Sequence, residues 1–256
     1  MTGEAMKQLI DTLQAAATVE EKEFHERTYT GRPVHLVKIP LPAPLQAGTL
    51  GAVTDYLAEN RDQLDHKQLT VHVVNERSVQ IVGQINPQDM SRPVYLNATP
   101  MAHDLVDGFV NRYLPNEEFC IGLMSLFASD PAGRRSALLA YAGNLVEAGT
   151  LELNDGGVSV TATVQKSLVN RKNETFVNPV ALIARQSFSE IVLGPRDFIF
   201  RLQRSDDDGN EAGIPRAALF EADAGVWKLD AMAKIAAWLR MRLAEKKLDG
   251  EVGLIV

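Results

Sequence analysis

Among 256 residues there is a single cysteine, Cys120, and one thiol cannot form an intramolecular disulfide. That excludes a small secreted scaffold held together by bridges and makes the reducing cytoplasm the expected compartment. Long apolar runs are also missing: none approaches the ~20 residues that cross a bilayer. Residues 1–24 (MTGEAMKQLIDTLQAAATVEEKEF) lack the basic start and apolar core of a signal peptide, so neither a membrane partner nor export is expected. Positive charge is short as well. The net charge of −7 and pI of about 5.3 argue against bulk attraction to nucleic acid or anionic lipid, although a local basic face remains compatible with them.

The chemical motifs are equally sparse. No phosphate-binding loop of the G-x-x-x-x-G-K type and no G-x-G-x-x-G occurs; Gly48-Thr49-Leu50-Gly51 is too short and has no lysine. The five histidines (His25, His35, His66, His72 and His103) include no i, i+4 pair, and one cysteine cannot build a structural zinc site. His103-Asp104 resembles a fragment of a metal-hydrolase motif without its companions. Asp206-Asp207-Asp208-Gly209 suggests a calcium loop. Placing Gly209 sixth, however, puts Arg204 first and Pro215 twelfth, where carboxylates are required, so a hairpin tip is expected. There is no G-x-S-x-G, and Cys120 falls on the inward face of a predicted helix, where it reads as a small buried hydrophobe. The expectation is therefore no catalytic, cofactor-binding or metal-binding residues, no cofactor and no small-molecule substrate.

What the chain does have is 45% hydrophobic and 23% charged residues, enough apolar material for a substantial core. Met6, Leu9, Ile10, Leu13, Ala16 and Ala17 recur at helical spacing, which predicts an amphipathic helix over residues 4–17 followed by the polar stretch EEKEFHER. Such a helix must bury its stripe either on its own domain or on a neighbouring subunit. Strands are predicted at 34–39, ended by Pro40, Pro42 and Pro44, and at 93–98. A helix is predicted at 49–60, with Leu50, Val53 and Leu57 inward. Alternating runs at 68–75 and 78–85 read as a hairpin around Asn75-Glu76-Arg77.

Helices are predicted at 101–114, at 117–127 with Cys120, Leu123, Met124 and Phe127 on one face, and from Asp130-Pro131 to Gly149. Asn154-Asp155-Gly156-Gly157 predicts a hairpin between strands at 151–153 and 158–164. Further strands are predicted at 180–191, 198–202 and 217–221, with a polar tip at 205–213. A long helix at 226–247 carries Met232, Ile235, Ala236, Leu239 and Leu243. Because strands and helices come in segregated runs, the predicted class is α+β with antiparallel or mixed sheets. The predicted organisation is an N-terminal helical arm (1–30) and an α+β body (31–256), with a sub-division at 31–100 and 101–256.

One local charge reversal stands out. From Gln165 to Arg204 there are seven basic residues against three acidic ones, a net +4, interleaved with Phe176, Phe188, Phe198 and Phe200. Arginine-lined strands with aromatic faces can track single-stranded nucleic acid, which nominates Arg185, Arg196, Arg201 and Arg204. Strand alternation offers the competing reading. Phe198 and Phe200 share a face and Arg201 takes the other, as a core facing water requires.

The segments VNPVALIARQSFSEI, DFIFRL and AALFEADAGVWKLDAMAKIAAWL, together with the upstream NDGGVSVTATV, resemble the YfdQ-like family encoded by phages and prophages. The resemblance is carried most specifically by Phe220 to Lys228. Read physically, that stretch is a strand-to-helix corner: Asp223-Ala224-Gly225 turns, and Trp227 pins the start of the long helix to the sheet. The resemblance implies phage origin and action in the host cytoplasm, and it brings no catalytic residues. The expected function is a non-enzymatic protein that self-assembles into a homo-oligomer and acts by binding. The alternatives are a single-stranded nucleic-acid-binding accessory of phage recombination or replication, and an inhibitor of a host defence system.

Overall fold

The computed structural model describes residues 3–17, 21–24, 27–30, 42–87, 90–101, 105–146, 151–155, 159–167, 170–204 and 215–256. The predicted strand at 34–39, His103-Asp104 and the aspartate-rich tip lie outside them. Two units are distinguished, 1–42 with 86–91, and 43–85 with 92–256. In the first, helix α1 (Gly3–Ala17) precedes an antiparallel pair, β1 (Glu21–Phe24) and β2 (Arg27–Thr30), in the register Glu21↔Thr30.

The second unit is α+β and contains two five-stranded sheets, mostly antiparallel, each with its own core. The first sheet is assembled from β3 (Leu45–Ala47), β4 (Thr70–Asn75), β5 (Ser78–Val82), β6 (Val94–Ala98) and β15 (Gly253–Ile255), in the order β15-β4-β5-β6-β3. Its β4–β5–β6 meander is antiparallel, while β15 and β3 join parallel at the two edges. The alternation of the hairpin sequence decides which face is buried: Val71, Val73, Val79 and Ile81 point inward. Helix α2 (Leu50–Glu59) covers that face with Leu50, Val53 and Leu57. It begins where the Thr49 hydroxyl accepts from the Ala52 N–H, and it ends on Asn60 in the left-handed region (φ 41°). Ile235, Ala236, Leu239 and Leu243 of α5 (Trp227–Glu245) complete this core. The core of residues 45–98 thus draws on chain from both sides of residue 100.

The second sheet has the order β7-β14-β13-β12-β8, from β7 (Leu114–Pro115), β8 (Phe127–Ala128), β12 (Val180–Ala184), β13 (Arg196–Arg204) and β14 (Pro215–Glu221). Helices α3 (Asn116–Leu126) and α4 (Arg134–Val146), with Val106, Phe109 and Val110 from the segment before β7, supply the rest of its core. This core is aromatic. The ring of Phe119 lies 5.2 Å from Phe109 and 5.7 Å from Phe200, Phe127 meets Phe198 edge-on at 5.6 Å, and Tyr141 meets Phe200 edge-on at 5.8 Å. Gly122 is required here, because a Cβ at that position would come within 2.3 Å of the Phe109 ring. A third, three-stranded antiparallel sheet is formed by β9 (Leu151–Asp155), β10 (Ser159–Ser167) and β11 (Asn170–Val177), in the order β11-β10-β9.

Several sequence expectations need correcting. The described residues of 101–114 do not form the expected α-helix. They hold a short 3-10 turn at Val106–Gly108, because the backbone donors go elsewhere: Val106 N–H to the Arg185 carbonyl and Asn111 N–H (φ 62°) to that of Leu219. In α3 the inward face is centred on Phe119 and Leu123. Cys120 is half-buried, Met124 is exposed, and Phe127 belongs to β8. Helix α4 starts at Arg134, and Asp130 caps it by accepting from the Arg134 and Arg135 N–H groups, each at 3.1 Å. The strand predicted over 180–191 ends at Ala184, where Arg185 donates its N–H to the Leu126 carbonyl and the chain turns away. The polar strand β11 and the terminal β15 had no counterpart among the sequence expectations.

Candidate functional site

The segment that leaves β12, residues 185–193, belongs by chain connection to the aromatic sheet but reaches the aliphatic one. Phe188 is buried in the core formed by β4, β5, α2 and α5. The Ser187 Oγ donates to the Glu76 carbonyl at the tip of the β4–β5 hairpin, and Arg77 Nε donates to the Gln186 carbonyl at 2.7 Å. Arg77 also forms a two-pronged pair with Asp107. A strap of nine residues therefore ties the two cores together.

Arg196 lies under that strap. Although it opens β13, its side chain is only 6% exposed, on the same face as Phe198, Phe200 and Leu202. Such burial of a guanidinium requires compensation. It is supplied by a fork onto Asp223 (Nε to Oδ2, 2.7 Å; Nη2 to Oδ1, 2.6 Å), a hydrogen bond to Gln186 Oε1, and Glu221 at 3.5 Å. Gln186 Nε2 in turn donates to Glu221. The hydrogen bonds from Arg196 hold the Asp223 carboxyl below the usual carboxylate range, against the opposing effect of burial. Two guanidinium groups lie over the Trp227 ring, that of Arg196 at 4.8 Å and that of Arg77 at 5.4 Å from its centre. Its indole N–H is buried with no partner among the described residues. Ala224 (φ 51°) and Gly225 (φ 78°) make the turn that precedes it, and the Asp223 carboxylate accepts from the Gly225 N–H.

The strap also lines a cavity of about 500 Å³. Its wall is mostly apolar, including Met101, Ile183, Phe188, Ile191, Val192 and Leu193, and it reaches Gly48 and Thr49 at the start of α2. Most of its polar groups are already engaged. Gln186 is held by Arg196 and Glu221, and Ser187 by Glu76. Ser189 donates to Glu190, which is not itself part of the lining and places its other carboxylate oxygen 3.1 Å from the Gly51 N–H, capping α2. Arg185 lines the cavity with an exposed side chain that has no partner among the described residues.

The four arginines nominated as a nucleic-acid row are not brought onto one surface. Arg196 is buried in its ion pairs, Arg201 is half-buried on the opposite face of β13, and Arg185 is at the cavity. The side chain of Arg204 lies outside the described residues. Phe188, Phe198 and Phe200 are core residues rather than stacking platforms. Arg196 could have been assigned from sequence, since it shares the parity of Phe198 and Phe200 along the strand. No local signal marks Gln186, Ser187 or Asp107. Elsewhere, burial pushes the Cys120 thiol up, the reverse of what nucleophilic use requires. The Tyr56 hydroxyl is also raised, first by burial and then by donating to Asp62 at 2.7 Å. No group of three or more His, Cys, Asp or Glu side chains is arranged to hold a metal among the described residues, and none of their helices is long and apolar enough to cross a membrane. Compared with family models, with characterised proteins and with solved structures, the chain matches none.

Proposed function

We propose that this chain is a phage- or prophage-encoded protein that self-associates into a homo-oligomer and acts by binding rather than by turning over a substrate. The observation that carries the reading is a group of large apolar side chains left in water around the start of α5. Val192, Val226 and Leu229 are 80%, 68% and 72% exposed. They are chain neighbours of a small buried cluster of Leu193, Trp227 and Ala231, so a rigid base lies beneath them. Exposed apolar groups gathered on a rigid base are the usual mark of a surface that another molecule covers. Met6 and Ile10 on α1 are about half exposed and supply a second apolar stripe of the same kind. The phage setting is supported by the resemblance of the segments between residues 177 and 240.

Size-exclusion chromatography with light scattering provides the test. The expected mass is a multiple of 28.1 kDa at micromolar concentration. The double variant Val226→Glu, Leu229→Glu is expected to shift it to a lower multiple with helix content unchanged. A wild-type protein that elutes as a monomer overturns the reading.

A further inference from the structure

We infer that the cavity beside the strap is a binding site for a small amphipathic monoanion, a hydrocarbon body carrying one carboxylate that Arg185 holds. Volume is the first argument. About 500 Å³ falls within the range of small-ligand sites, which are concave and mostly apolar with a few polar groups that fix orientation. The lining supplies the second. Ile183, Phe188, Ile191 and Leu193 offer hydrocarbon and nothing that hydrogen-bonds through a side chain, so they suit an apolar body. At the same site Met101 is 59% exposed and Val192 80% exposed, apolar surface that a bound hydrocarbon would remove from water.

The third argument is charge, and it sets both sign and number. Thr49 Oγ accepts from the Ala52 N–H, Ser187 Oγ and the Gln186 amide are engaged by neighbours, and Ser189 Oγ donates to Glu190. That leaves the Arg185 guanidinium as the strong donor without a partner among the described residues that line the cavity. A guanidinium holds a carboxylate in two parallel hydrogen bonds. One such cation balances one negative charge. The Glu190 carboxylate lies just behind the wall, bonded to the lining residue Ser189 and to the Gly51 N–H, and its negative charge opposes a second. Di- and triphosphates are thereby disfavoured, as are neutral hydrocarbons, which would leave Arg185 unused. Val192 and Leu193 belong both to this cavity and to the surface proposed for self-association, so the Val226→Glu, Leu229→Glu variant, whose changes lie outside the cavity lining, is expected to bind decanoate as wild type does and keeps the two readings distinguishable.

Isothermal titration of the full chain with decanoate, and separately with decanol and with decanedioate, tests it. Decanoate is kept below its micelle concentration. Wild-type protein is expected to bind decanoate with the neutral alcohol roughly tenfold to a hundredfold weaker, the range of a hydrogen bond to a charged group. Decanedioate, with its second charge, is expected to bind no better than the alcohol. Arg185→Gln, at an exposed position, should keep its melting temperature and bind acid and alcohol alike. Val192→Asp, which sets a like charge at the cavity and removes hydrocarbon from its wall, should weaken decanoate more than decanol. The inference is overturned by wild-type protein that binds no decanoate at millimolar concentration or does not distinguish it from decanol. It is equally overturned by an Arg185→Gln variant that still distinguishes them.

Discussion

The two sheets of the body solve the same packing problem with different materials. Around β4, β5 and β6 the core is mainly aliphatic, made of Leu50, Val53, Leu57, Val71, Val73, Val79, Ile81 and the inner stripe of α5, with Phe188 added from the strap. Around β12, β13 and β14 the aliphatic residues are joined by Phe109, Phe119, Phe127, Phe198, Phe200 and Tyr141 in stacked, tilted and edge-on contact. Branched aliphatic side chains fit a regular pleat, so the first core follows from local alternation. Rings need partners at set angles from several elements, so the second depends on positions far apart in the chain. The difference teaches that the aliphatic sheet is specified mainly locally and the aromatic one mainly by tertiary contact.

That contrast can be broken by substitution. The largest effect is expected for Phe200→Ala, which removes a wholly buried ring in contact with Phe119 and Tyr141. A loss of about 3–5 kcal/mol is expected in equilibrium unfolding by denaturant. Hydrogen exchange should rise most in β12, β13 and β14. A uniform rise across both sheets would show that they have no separate identity.

Next comes Arg196→Met, expected to lose about 1.5–3 kcal/mol, the range for hydrogen bonds to charged groups. The lower range is used because Asp223 and Glu221 are about a quarter exposed and can rehydrate. The same variant carries a pH signature. Asp223 has a folded-state pKa below its unfolded value, so its contribution is fully present above the ordinary carboxylate range of about 4. It is lost as pH falls from there through the folded value. Arg196→Met should therefore lose less stability than wild type on acidification through that window, read as a shallower fall in melting temperature. Equal slopes would mean that the fork onto Asp223 contributes nothing. Smallest is Ile81→Val in the aliphatic core, expected to cost about 0.5–1.5 kcal/mol in the same denaturant measurement. A larger loss would show that the pleat there is as demanding as the ring contacts.

The legibility of the chain follows the same division. The β4–β5 hairpin and α2 with its caps at Thr49 and Asn60 could be read because their signals lie within a dozen residues of one another. The long helix was also read, since its stripe repeats five times along one face. The strands β7 and β8 could not be read. Each is two residues long and exists only because Ala217 and Ala184 are there to pair with Leu114 and Phe127. The strap fails for a related reason: Arg185 to Ile191 follows an apolar strand without a glycine or proline to mark its end, and the chain turns where Arg185 donates to the Leu126 carbonyl, far away in the sequence. The candidate cavity inherits that difficulty, because it exists only once the strap has turned. Of the nominated arginines, Arg185 remains a binding candidate for a reason unrelated to its neighbours in sequence.

The parallel pairing of β15 with β4, and the seating of Phe188 in the core opposite its own strand, have a consequence for the integrity of the chain. No single break can release the two sheets as separate pieces. A cut near residue 100 strands the first sheet without α5 and β15, and a cut after β14 deprives it of the same helix while leaving Phe188 in place. The body has two cores in cross-section, yet along the polypeptide it is interleaved, and it can be inherited, swapped or truncated only as a whole.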